Sequence, residues 1–187
     1  LLINSNGMGF GLFPIDKNLI QEKWDELADL EKAAAFVSLY EQLIEGNGTV
    51  SAIEYVELIK WAVDREDNQL IIRHLMRQLL SVYWSLLSPE VRRDVAPSLE
   101  KTLWEAIIVD GRVSGERKIF FKAFSDIALT DESLTKLHDI WQQTFQVSGL
   151  DLSTRDYTEL AAILAIKLPS QANQIIQAQV TRIKAPD

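Results

Sequence analysis

The chain has 187 residues, 47% of them hydrophobic, and a formal net charge of −8. That is enough apolar material for the core of one domain or two small ones, and it excludes a disordered chain. The absence of cysteine excludes a disulfide framework and a thiolate metal site; the acidic balance argues against nucleic acid as a partner, because phosphate backbones repel it; and no apolar run approaches the roughly 20 residues that span a bilayer.

The first fifteen residues differ from the rest. Leu1 to Ile3 read as a β-strand already under way, and Gly7, Gly9 and Gly11 then alternate with Met8, Phe10 and Leu12. Glycine at every second position strips the side chains from one face of an extended segment, so that a neighbouring backbone or bulky group can approach. The plainer alternatives are a glycine-rich turn or a nest of backbone N–H groups. A phosphate loop would need Lys and Ser or Thr directly after the glycines, and Phe10 to Phe13 stand there instead. Residues 1–15 are therefore expected to be the end of a preceding β region or a linker, and 16–187 a helical C-terminal domain. A strand remnant joined to a helical array reads as a piece of a longer chain. There is no initiating Met and no signal peptide, and the compartment is left open.

From Asp16 onward the apolar period is helical. Leu19, Ile20, Trp24 and Leu27 open it, and Ala33, Phe36, Val37, Tyr40, Leu43 and Ile44 continue to a stop at Gly46-Asn47-Gly48. Ser51-Ala-Ile-Glu54 fits a capping box ahead of Ile53, Val56, Ile59 and Val63, and Asp64 to Asn68 is a charged turn. Leu70 to Leu87 is the most apolar stretch. Its face Ile71, Leu75, Leu79, Val82 and Leu86 is widened by Ile72, Met76, Leu80, Tyr83 and Trp84, and His74, Gln78, Ser81 and Ser85 form a narrow polar stripe. Ser88-Pro89 opens the next helix, which Pro97 is expected to break or kink. After the turn Asp110 to Gly115, one helix carries Ile119, Phe120, Phe124 and Ile127. Another runs from Thr130 through Leu134, Leu137, Trp141 and Phe145 to Gly149. Ser153 caps a helix that Pro169 ends, and a last amphipathic helix carries Ile176, Val180 and Ile183. The expected fold is all-α: stacked antiparallel helix pairs of the HEAT-like or α–α superhelix type, with a short N-terminal extended segment. No residue pattern recurs at a fixed period, so named repeats are not supported.

Catalytic constellations are missing. His74 and His138 each lack a second His one turn away with a Glu between, so no metal ligands are assigned. No Ser sits in a Gly-x-Ser-x-Gly elbow, and no catalytic residues are assigned. Glu41 and Glu45, one turn apart, read as a solvated face ahead of a weak cation site. Two features carry weaker candidates for substrate binding. His74 and Gln78 belong to a stripe that either lines a cavity or simply faces water. The loop Arg112 to Lys118 sets Arg112, Arg117 and Lys118 close together in an otherwise acidic protein, where they would either receive a carboxylate or stand in solvent.

The order of the segments resembles a known family. Asn4-x-x-Gly7-x-Gly9-Phe10-Gly11-Leu-Phe13 is similar to the motif of zinc aminopeptidases of the aminopeptidase N (gluzincin) family at the passage from the β-rich region to the C-terminal helical domain. Trp24-Asp-Glu-Leu27, Leu43-Ile-Glu-Gly46 and Asp64-Arg-Glu-Asp-Asn68 match the family's order of a Trp-x-x-Leu segment, a Gly-containing turn and an acidic step. The resemblance covers residues 1 to 90 and is architectural beyond. Phe10 stands where the family more often has Tyr, and His-Glu-x-x-His is absent. The resemblance implies a helical domain that covers the active-site cleft and shapes the peptide chamber together with a missing catalytic domain. The zinc would belong to the parent enzyme, with no cofactor in this chain and no catalysis by this chain alone. The alternatives are a freestanding helical-repeat module that binds a protein partner, and a helical domain with purely structural duty.

Overall fold

A computed structural model describes residues 13–46 and 50–184. Among them every regular element is helical, and the fold is all-α. Helix α1 spans Lys17–Lys23 and runs into a 3-10 turn, Trp24–Glu26. Then come α2 (Asp29–Glu45), α3 (Ala52–Val63), α4 (Gln69–Ser85), α5 (Pro89–Ile108), α6 (Ser114–Ile127), α7 (Asp131–Gln142), α8 (Thr154–Lys167), a 3-10 turn Pro169–Gln171, and α9 (Ala172–Lys184). The expected strand and alternating glycines at the N-terminus lie outside the described residues. The chain falls into two compact units, Leu1–Pro89 and Glu90–Asp187.

Local chemistry sets most of the boundaries. Gly46 takes the left-handed conformation (φ 68°) and ends α2, as its missing Cβ allows. Ser51 and Glu54 close a capping box at the start of α3, with Ser51 N donating to Glu54 at 2.9 Å. Ser153 and Asp156 do the same for α8. Helix α5 continues through Pro97, which lies on its exposed side; the expected break does not occur. Helix α7 stops at Gln142, seven residues short of the expected Gly149, because Gln143 adopts φ 63° and its N–H turns back to the carbonyls of Asp139 and Ile140.

In the first unit, contacts advance in step along α2 and α4. Asn68 donates to Asp29 at 2.7 Å, Gln78 to the Phe36 carbonyl at 3.3 Å, and Tyr40 meets Ser81 at 2.7 Å. The two helices are therefore parallel. Helix α3 runs the other way, since Tyr55 near its start meets Gln78 late in α4, while Glu66 just past its end meets Lys32 early in α2. This up-down-up order is what short connections between packed helices produce. The core is a run of edge-to-face rings: Trp61 on Trp24 (5.4 Å), Trp24 on Phe36 (5.9 Å) and Phe36 on Tyr55 (6.1 Å).

The second unit repeats this logic. Lys118 pairs with Asp156 at the start of α6 and α8, and Lys167 reaches the carbonyls of Asp126 and Ala128 at their ends, so α6 and α8 are parallel. Helix α5 is antiparallel to α6: Glu100 meets the Leu129 amide, Trp104 meets Phe124, and the Ile107 carbonyl meets Arg117. Helix α9 is turned away from the expected register. Ile175 and Gln179 face inward, and Ile176, Val180 and Ile183 stay exposed. The reason is polar. The buried indole N–H of Trp141 donates to Gln179 at 2.9 Å, and Gln179 in turn donates to Thr158 at 3.1 Å, so a glutamine holds the inward position.

Lys17 and Glu54 tie α1 to α3. The Lys17 ammonium first, then the Ser51 amide and hydroxyl, hold the Glu54 carboxyl down at about 2. A carboxyl depressed in the folded state stabilises above its ordinary value of 4.5, and that contribution disappears as the pH falls through about 2. Urea unfolding of the native chain and of Glu54→Gln should therefore differ at neutral pH and converge on acidification through that window. A gap that stays constant down to the acid limit would rule the assignment out.

Candidate functional site

The sequence candidates divide between the two units, and each is described within its own. In the first unit, Gln78 is 4% exposed and does not face water. Its side-chain oxygen accepts from the Tyr55 hydroxyl at 2.7 Å, and its amide donates to the Phe36 carbonyl at 3.3 Å. Burial pushes the Tyr55 phenol well above its ordinary range, so it remains a hydroxyl donor. One turn on, Ser81 meets the Tyr40 hydroxyl. Half of the polar stripe, Gln78 and Ser81, is thus an internal seam joining α4 to α2 and α3, whereas Ser85 is exposed. The seam satisfies buried polar groups and sets the register between helices.

His74, one turn earlier, is half-buried. Its Nδ1 lies 3.1 Å from the Arg77 guanidinium, and its enclosed Nε2 has no hydrogen-bond partner among the described residues. Burial and then the Arg77 charge lower its pKa, so the ring is neutral near pH 7. In that state Nδ1 accepts from Arg77 and the proton sits on Nε2.

In the second unit, Arg117 is 7% exposed and holds no ligand-facing position. Its guanidinium donates to the carbonyls of Ile107, of Val109 at 2.8 Å and of Arg112 at 3.1 Å. It therefore caps the C-terminus of α5, where carbonyls have no partner within the helix and the dipole favours a cation. The loop after α7 closes over it: a Cβ on Gly149, itself at φ 74°, would stand 3.1 Å from Arg117 Nε. Arg112 lies with its guanidinium 4.8 Å from the Phe120 ring centroid and 3.8 Å from Glu116. Lys118 reaches Asp156 at 3.3 Å. Burial alone would raise Asp156, but the Ser153 amide, the Ser153 hydroxyl and Lys118 outweigh it, and the carboxyl stays below its ordinary value. The structure brings Arg112 and Arg117 together as a brace for the α5–α6 turn, with their charges directed to their own chain.

Several polar anchors carry no sequence signal of their own. Glu100, buried, accepts from the amides of Leu129 and Thr130 and from the Thr130 hydroxyl, and so caps α7 from α5. Glu66, buried, accepts from the Asn68 amide at 2.8 Å and pairs with Lys32. Charged residues of this kind look solvent-facing in a sequence; only the fold shows which backbone groups they serve. Among the described residues no group of three His, Asp or Glu is placed to share a metal ion, and no helix is long and apolar enough to cross a membrane.

Comparison of the chain with protein-family models, with curated proteins and with solved structures returns no match.

Proposed function

We propose that this chain is the C-terminal helical domain of a zinc aminopeptidase of the aminopeptidase N type, and that it covers the active-site cleft and shapes the chamber for the peptide without performing a chemical step. The reading rests on the resemblance of residues 4–13, 24–27, 43–46 and 64–68 to that family. One observation supports it most: those of the four segments that lie among the described residues are structural fixtures of one compact unit. Trp24 is 2% exposed at the centre of the aromatic core, Gly46 ends α2, and Glu66 anchors the turn from α3 to α4. A cover needs such rigidity, because closing over a peptide excludes water and limits the length that fits. By this reading the zinc and its ligands belong to the catalytic polypeptide, and the peptide substrate meets this chain and that polypeptide together.

The test compares this chain with the full-length protein encoded at its locus. The full-length protein should hold stoichiometric zinc, cleave aminoacyl p-nitroanilides and contain His-Glu-x-x-His upstream of this chain. The chain alone should do neither. Turnover or stoichiometric zinc in the chain alone defeats the reading. So does a start codon immediately before Leu1, which favours the freestanding protein-binding module.

A further inference from the structure

Helix α4 turns two guanidinium groups outward. Arg73 and Arg77 are exposed and stand four residues apart, one above the other on the helix surface. Arg77 is steadied by His74 Nδ1 at 3.1 Å. Leu70 is 75% exposed and Trp84 is 43% exposed, and the spacing from 70 through 73 and 77 to 84 sets all of them on one side of the helix. The strip is about 21 Å long at the helical rise per residue.

The charge pattern makes this strip unusual for its surroundings. Residues 1–89 carry 13 acidic side chains against 7 basic ones. The other basic residues of this unit are committed: Lys17, Lys23, Lys32 and Lys60 each take a carboxylate, and Arg65 lies 4.6 Å from the Trp61 ring centroid. Arg73 and Arg77 pair with no carboxylate among the described residues, although acids outnumber bases nearly two to one. Two planar donors one turn apart, one of them held by a neutral imidazole, match two carboxylates at the same spacing. The apolar residues at either end call for apolar neighbours beside those carboxylates. A long polyanion such as nucleic acid is repelled by the like charge of the rest of the unit, whereas a short acidic segment engages only the strip.

We propose that this face of α4 binds a helical segment of a protein partner, one that carries two carboxylates a turn apart between apolar residues. The inference does not rest on the proposed function, since either a cover domain or a freestanding module can carry such a face.

The experiment uses the full chain and a fluorescein-labelled synthetic helical peptide about four turns long, with Glu at i and i+4 and Leu at both ends. Sister peptides carry Gln or Lys in place of Glu, and fluorescence anisotropy reads binding at low and at high salt. The Glu peptide should bind saturably and weaken with salt, and the Gln peptide should bind about ten-fold more weakly or worse. The double variant Arg73→Glu, Arg77→Glu should lose the Glu peptide by a similar factor and gain the Lys peptide; this charge swap also shows that the variant is folded. Equal binding of the Glu and Gln peptides, no binding of the Glu peptide, undiminished binding by the double variant, or displacement of the Glu peptide by a single-stranded oligonucleotide would each overturn the proposal.

Discussion

Replacing Trp24 with Ala should destabilise the first unit by about 4 kcal/mol, the upper range for deleting a large buried aromatic side chain. The indole is 2% exposed and carries edge-to-face contacts to Phe36 and Trp61. The Lys32 ammonium stands 4.7 Å from its ring centroid and 3.3 Å from the buried Glu66, so the ring is also the platform on which that ion pair rests. Removing it opens a cavity between α1, α2 and α3 and leaves Lys32 and Glu66 without their apolar backing. Trp24→Phe is the informative contrast. Among the described residues the buried indole N–H has no acceptor, which costs about 1–3 kcal/mol, so the phenyl ring loses volume but sheds that penalty. Its net loss should be under about 2 kcal/mol. Urea unfolding followed by far-UV circular dichroism measures both. If Trp24→Ala costs less than about 1 kcal/mol, the aromatic run is not the core of the unit.

Arg117→Met should cost about 3 kcal/mol and leave the first unit unchanged. Methionine keeps much of the aliphatic volume but strands the carbonyls of Ile107, Val109 and Arg112, each of which accepts from the guanidinium. The Ile107 carbonyl is the buried one, and robbing it of a charged donor is among the expensive losses because water does not replace it; the Val109 and Arg112 carbonyls are partly buried and lose less. For a unit of this size the change should lower the melting temperature by about 15 °C. Arg117→Lys should recover only part of it, since an ammonium is a single point of donation where the guanidinium forks to three carbonyls. Differential scanning calorimetry separates the units if they melt independently, and the loss should fall on the transition of the second. An unchanged melting profile would return Arg117 to the role of a ligand-binding residue and remove its part in holding α5 and α6.

The same residue shows where sequence reasoning reaches its limit. A cluster of Arg112, Arg117 and Lys118 in an acidic chain looks like a receptor for an anion. Its counter-charges are backbone carbonyls at a helix end and carboxylates at Glu116 and Asp156. Nothing in residue types announces a helix terminus as the acceptor until the turn closes and brings Ile107 and Val109 beside a residue ten positions on. The polar stripe on α4 is divided for a related reason. Gln78 faces polar groups on α2 and α3, and periodicity reports which residues share a face without naming what that face meets. Arg73 and Arg77 stand in a visible Arg-His-x-x-Arg pattern, but an exposed basic residue draws notice only once its neighbours prove to be paired.

The amino-acid order alone determined that this protein is helical, since the 3.6-residue apolar period and the caps at Gly46, Ser51, Thr130 and Ser153 are local properties that each segment carries wherever it packs. The tertiary structure decided which polar groups are spent inside. Glu66, Gln78, Glu100, Arg117 and Gln179 are buried where backbone and side-chain groups require partners once water is gone. It also decided the rotation of α9, where one indole N–H needing an acceptor outweighed the apolar stripe that hydrophobicity alone would have turned inward.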